Sequence, residues 1–261
     1  IPLLAETQTI EEILAEAKKH QIVHMLCVAI DLEGSPEIIQ LAKTYEMVSA
    51  SVGVHPNTRP KNRLTIDEIA GMGSDSSVVA IGETGLDYFR SEGDLDWQRD
   101  QFRTHITAAK ELKKPLIIHS REAKLDVIKI LKEEKADEVG GVMHCFVDDL
   151  ETAKAAIDMD FLISFSGIVT FKNAKPLQEV ARQISLKNML IETDSPYLAP
   201  TPHRGKTNQP AYVRYVAEFL AELKEESLED VALNTTKNYE DKFNKINTCL
   251  LYTSPSPRDR G

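Results

Sequence analysis

Val78-Val-Ala-Ile-Gly-Glu83 is a short, β-branched apolar run that stops at a carboxylate. A run of this length, punctuated by glycine, reads as a buried strand rather than a helix. The same pattern recurs at residues 22–30, 48–54, 116–118, 141–146, 161–165 and 189–191, and a helical pattern follows each run. Thr9 with Glu12, Thr65 with Glu68 and Asp148 with Glu151 place a capping oxygen three residues before a carboxylate, which predicts helix starts at all three points. Pro210 opens a further helix whose apolar stripe is Val213, Val216, Phe219, Leu220 and Leu223.

Strands alternating with helices, with no linker between them, predict one α/β domain over residues 1–248, built on a mostly parallel sheet. Seven strand runs are one fewer than a TIM (β/α)8 barrel requires. The absent one falls before the Thr9 helix, and the chain begins at Ile1 without a methionine, so a missing N-terminal piece carrying the first strand is expected. An open doubly wound sheet is the other topology that this periodicity permits. No G-x-G-x-x-G turn follows the first visible strand, so the dinucleotide-binding version of that fold lacks its phosphate site. At the other end, residues 249–261 include Cys-Leu-Leu-Tyr-Thr-Ser-Pro-Ser-Pro-Arg-Asp, which has no helical period and resembles a translated sequencing adapter. That tail is expected to be non-native or disordered and to carry no function.

The 261 residues are 42% hydrophobic and 28% charged, a globular composition. No apolar run approaches the ~18 to 20 residues of a membrane helix and no charged-then-apolar leader opens the chain, so neither a membrane nor a secreted protein is expected. Three cysteines, at 27, 145 and 249, form no metal-type pair and fit a reducing cytoplasm. A net charge of −10 argues against a broad basic surface for coating nucleic acid, yet leaves room for a small metal-assisted site.

The chemistry lies where the strand runs stop. Glu83, His119, His144 and Asp194 each stand at or just beyond the end of a different apolar run. In a parallel barrel all those ends open on one face, so two carboxylates and two imidazoles would converge into a divalent-metal site. A single polar residue at a strand end is ordinarily a hydrogen-bonded loop residue, but four on four strands are not explained that way. His24 and His105 lack this context and read as structural.

Ser51-Val-Gly-Val-His-Pro56, Ile81-Gly-Glu-Thr-Gly-Leu-Asp-Tyr88, Pro115-Leu-Ile-Ile-His-Ser-Arg121, Met143-His-Cys-Phe146, Ser164-Phe-Ser-Gly-Ile-Val-Thr170, Ile191-Glu-Thr-Asp-Ser-Pro-Tyr-Leu198 and His203-Arg-Gly-Lys206 follow one another in the chain. This ordered set resembles the motifs of the TatD family of metal-dependent deoxyribonucleases, from about Ile10 to Phe243. The resemblance implies a TIM barrel of the amidohydrolase-like kind, with Glu83, His119, His144 and Asp194 as metal ligands. The family pattern also has a His-x-His pair on the first strand, and this sequence has none, in keeping with the expected missing piece.

For phosphodiester hydrolysis, one or two divalent ions are expected, Mg²⁺ first with Mn²⁺ or Zn²⁺ as alternatives, to polarise the phosphoryl oxygen and activate water. Glu83 is the candidate bridge, and Asp194 the candidate ligand that also takes the proton of the attacking water. His119 and His144 would be neutral imidazole ligands. His55, Arg121, His203, Arg204 and Lys206 are candidates for holding substrate, since guanidinium presents a fork to phosphate oxygens. The expected substrate is DNA, single-stranded or at its ends, cut as by a 3′–5′ exonuclease, with no membrane and no obligate protein partner. Amide or ester hydrolysis, including deacylation of an aminoacyl-tRNA, uses the same activated water and stays open, as does a non-catalytic truncated barrel.

Overall fold

The computed structural model describes residues 2–4, 8–60 and 62–243. The tail expected at 249–261 lies outside the described residues. Seven parallel strands, β1 (Met25–Cys27), β2 (Val48–Val52), β3 (Val78–Asp87), β4 (Leu116–Arg121), β5 (Gly141–Met143), β6 (Phe161–Phe165) and β7 (Met189–Ile191), pair in chain order. They form the wall of a TIM-type α/β barrel. Among the described residues β1 and β7 each pair with one neighbour, and no eighth strand is present.

The helices are α1 (Ile10–Lys19), α2 (Ser35–Thr44), α3 (Ile66–Gly73), α4 (Asp96–Leu112), α5 (Lys124–Glu133), α6 (Leu150–Ile157), α7 (Lys175–Gln183), α8 (Val213–Lys224) and α9 (Leu228–Phe243). Among the described residues none is long and apolar enough to cross a membrane. Thr9 and Thr65 close the expected capping boxes with Glu12 and Glu68. The third expected cap is corrected: Asp149, not Asp148, accepts the Thr152 N–H at 2.8 Å, because Asp148 is engaged by the Ser120 hydroxyl at 3.0 Å. Pro210 opens a single 3₁₀ turn, Pro210–Tyr212, and α8 begins behind it.

Strand parity sorts the core. Leu116 and Ile118, Met143, Ile163 and Met189 belong to the large cluster shared with the helices. Their neighbours Ile117, Val142, Leu162 and Leu190 belong to a second cluster on the opposite, inner side, together with Phe243 of α9. Successive side chains of a strand point to opposite faces, so the same inner row continues upward into His119, His144 and Glu192. The floor is closed by α9, where Tyr239 packs against Phe243 and His24, and Asn238 Nδ2 donates to the Leu186 and Met189 carbonyls at 2.7 and 2.8 Å. His24 is therefore structural, as expected.

Five strand boundaries differ from those expected; β2 ends at Val52 rather than at residue 54, and β4 runs on to Arg121 rather than ending at Ile118. β1 is shorter than residues 22–30, being an edge strand with ladder bonds on one side alone. β5 ends at Met143 rather than Phe146. β3 runs on to Asp87, so Glu83 lies inside it, and the register against β4 shifts between Ile81 and Thr84. Glycine makes this passage feasible: Gly85 sits at φ +135°, and a Cβ there would strike the His119 carbonyl.

Candidate metal centre

Glu83 is buried at the top of the inner face, and one of its oxygens is the meeting point of three imidazoles. Oε1 lies 2.9 Å from His119 Nδ1, 3.7 Å from His55 Nε2 and 3.7 Å from His144 Nε2. Asp194 Oδ1 is 3.6 Å from the same His144 nitrogen. One ligand atom from each of His55, Glu83 and His119 fall within 4.8 Å of one another. The four residues selected from strand ends thus come together, and His55, placed on the substrate side in the sequence reading, joins them.

Burial pushes the Glu83 carboxyl up, but His144, His119 and His55 outweigh it and hold the group at about 2. Burial likewise opposes charge on His119 and His144. Asp87 and Glu83 overcome it at His119, raising its pKa, and Glu192 and Glu83 do so more strongly at His144. A cation binding among these carboxylates and imidazoles would displace the protons that the raised imidazoles hold. Mixed nitrogen and oxygen donors of this kind suit a divalent ion.

The outer ring nitrogens distinguish the histidines. His119 Nε2 faces Asp87 Oδ2 at 3.2 Å, and His144 Nδ1 faces Glu192 Oε2 at 2.7 Å. A carboxylate there keeps the proton on the outer nitrogen and frees the inner lone pair for a metal. His55 is arranged oppositely. Its Nδ1 accepts the Asn57 backbone N–H at 3.1 Å, so the neutral ring carries its proton on Nε2, aimed at Glu83. Burial lowers the His55 pKa and favours that neutral form.

The family model described as TatD related DNase matches residues 4–244. The chain belongs to this TatD family. It is 44% identical over 230 residues to the uncharacterized metal-dependent hydrolase YcfH of Escherichia coli K12, covering 88% of this chain and 86% of that one. The uncharacterized metal-dependent hydrolase YabD of Bacillus subtilis is 43% identical over 230 residues, 88% of this chain and 90% of its own. The crystal structure of YJJV, a TatD homolog from E. coli K12, superposes with a TM-score of 0.81 at 26% identity, covering 90% and 92% of the two chains. The chain is accordingly a metal-dependent hydrolase with a TatD-type barrel.

Within this TatD barrel, residues not singled out from the sequence brace the clustered side chains from behind. Asp87 accepts the Phe89 and Arg90 backbone N–H groups at 3.1 and 2.9 Å and Asn57 Nδ2 at 2.9 Å, besides facing His119. Glu192 also accepts the Cys145 N–H. Parity alone points to Glu192, two residues beyond the inward Leu190. Behind His55, buried His105 of α4 accepts the Val54 N–H at 3.0 Å, and Gln101 Nε2 donates to the Val54 carbonyl at 3.1 Å. Asn208, fully buried, holds the loop bearing Asp194 by donating to the Thr193 and Tyr197 carbonyls at 2.7 and 2.6 Å.

The remaining substrate candidates stand off the cluster. Arg121 stacks on Phe89 with 4.0 Å to the ring centroid, and Arg204 on Phe171 with 4.3 Å. His203 lies flat on Tyr212 at 4.1 Å, which occupies its ring face, while Lys206 is exposed on the same loop.

Proposed function

We propose that this TatD protein is a cytoplasmic deoxyribonuclease that shortens single-stranded DNA from its 3′ end with one or two divalent ions, Mg²⁺ first. The observation that carries the reading is the convergence of His119, His144 and His55 on Glu83 Oε1, with carboxylates behind the first two. The description of the matching family and the arginine two residues beyond His119 favour phosphate over a carbonyl ester.

Glu83, His119, His144 and Asp194 would hold the metal. A divalent ion bound there supplies Lewis acidity toward a phosphoryl oxygen and lowers the pKa of water. Asp194, the most accessible carboxylate of the set at 34% side-chain exposure, would accept the proton of the attacking water. His55 donates its Nε2–H to a phosphoryl oxygen or to the departing oxygen, fixing the scissile group over Glu83. Arg121 presents its guanidinium to the flanking phosphate.

The test is to incubate 5′-labelled single-stranded DNA with Mg²⁺, Mn²⁺ and Zn²⁺ in turn. A ladder shortening from the 3′ end, abolished by chelator, is expected. Robust turnover of a carbonyl ester with no phosphodiester cleavage under any of the three ions would overturn the reading.

A further inference from the structure

Among the described residues, the arginines of this acidic chain fall into two groups. Arg63, Arg99, Arg103, Arg182 and Arg214 are each ion-paired with a carboxylate. Among the described residues, Arg59, Arg90, Arg121 and Arg204 have no such partner, although the chain carries 41 acidic side chains. All four unpaired arginines lie on the same face. Arg59 follows β2, Arg90 follows β3, Arg121 ends β4 and Arg204 follows β7, so each stands at the carboxyl end of a parallel strand, around the mouth that holds Glu83.

Three of them rest on aromatic rings instead. Arg121 covers Phe89 at 4.0 Å, Arg204 covers Phe171 at 4.3 Å and Arg59 covers Trp97 at 5.4 Å. Phe89 and Phe171 follow β3 and β6, and Trp97 opens α4, so the rings share the mouth with the cations. Phe89 is 56% exposed even with Arg121 on it, which leaves ring surface uncovered. It is tied to the centre through its own backbone N–H, which Asp87 accepts while facing His119. Arg59 and Trp97 line a cavity of about 230 Å³ whose lining includes Gln101, the residue that holds the backbone at His55.

A guanidinium lying on a ring keeps its edge donors free, so it binds a phosphate without leaving the aromatic. A cation beside an open aromatic, repeated along a surface, matches a chain that alternates phosphate with unstacked base. Duplex DNA keeps its bases stacked and offers the rings nothing.

We propose that the Arg121–Phe89, Arg204–Phe171 and Arg59–Trp97 pairs form a track for single-stranded DNA around the mouth, phosphates on the guanidinium edges and bases on the rings. The track rests on the nuclease reading for its substrate, and it assigns the bases, not the phosphates alone, a share of the affinity.

Binding is read without metal, by fluorescence anisotropy of a labelled twelve-residue oligothymidylate in chelator, with the full chain. A twelve-unit propanediol phosphate oligomer, charged but without bases, serves as competitor. The thymidylate is expected to bind more tightly than the base-free oligomer. Phe89→Ala should weaken thymidylate about 5- to 150-fold, the range for losing one stacked base, and Phe89→Trp should restore it. Arg204→Ala should flatten the slope of log affinity against log salt by about 0.7, one phosphate contact on a single strand. Equal affinity for the two oligomers, or tighter binding of duplex, overturns the track, as does unchanged binding by Phe89→Ala with an unchanged melting temperature. Because no turnover is read, failure of hydrolysis in the earlier assay would overturn the nuclease reading separately from this one.

Discussion

His119 and Asp87 meet through the outer nitrogen of the imidazole, Nε2 to Oδ2 at 3.2 Å, while the inner nitrogen lies 2.9 Å from Glu83. His144 repeats the relationship with Glu192, 48 residues away in the chain. In both cases a carboxylate of one strand or loop sets the tautomer of an imidazole on another. His55 stands in the same cluster with an N–H behind it instead. The three rings are therefore not equivalent, although they surround one oxygen.

Asp87→Asn and Glu192→Gln should each lower divalent-metal affinity by about 10- to 100-fold, since outer partners orient the ligand ring and raise its basicity. His55→Asn should leave that affinity within about threefold of the parent, while DNA cleavage falls by ~10²- to 10⁴-fold, the range for a lost proton-transfer group. Competition of Mn²⁺ against a chelating dye separates the two behaviours. A loss of Mn²⁺ binding in His55→Asn as large as in His119→Asn would make His55 a ligand.

Gly85→Ala should fail for a backbone reason. The methyl would fall on the His119 carbonyl, and φ +135° is closed to side-chain-bearing residues. Both strands that carry Glu83 and His119 would have to part, a loss of more than ~3 kcal/mol by the measure of incompatible glycine replacements and core strain. Denaturant unfolding compared with Gly71→Ala, where nothing lies within 4 Å and φ is not positive, checks this. Similar stability of the two variants would show that β3 and β4 tolerate the separation.

The sequence made the strands legible because each is a local pattern, and the residues just past them followed from parallel topology. Glu83, His119, His144 and Asp194 needed no long-range information beyond that. The outer partners were not legible, since nothing local links Glu192 to His144 or Asp87 to His119. The choice between adjacent Asp148 and Asp149 as helix cap was also tertiary, decided by Ser120 from the neighbouring β4. Arg121 and Arg204 were readable as cations, but not as cations seated on aromatic rings.

Metal binding should weaken as pH falls. Burial works against charge on His119 and His144, yet the surrounding carboxylates raise both pKa values, so a cation must displace their protons. Below those raised values each displaced proton lowers apparent affinity about tenfold per pH unit. Calorimetry of Mn²⁺ binding in buffers of different ionisation enthalpy counts the protons released. Binding that is independent of pH and releases none would mean that neither imidazole is a ligand.

His105 gives a stability signature separate from the metal. Burial holds its pKa down to about 4, against the Gln101 carbonyl, which favours the charged form, and its Nε2 accepts the Val54 N–H. The unfolded chain, with a pKa near 6.5, binds this proton first, so the stabilisation is complete above that pH. It is lost progressively as pH falls toward 4, for a total of roughly 3 kcal/mol from a shift of this size. Glu83 and Asp87, whose pKa values are held below the ordinary carboxylate range, begin to lose their contribution near the bottom of this window and lose most of it below. His105→Gln lowers stability at pH 7 but removes this titration, so its urea midpoint should fall less than the parent's between pH 6.5 and 4. Parallel pH profiles for the two proteins across that interval would mean that His105 takes up its proton without unfolding, and that the backbone at Val54 and His55 is held by Gln101 instead.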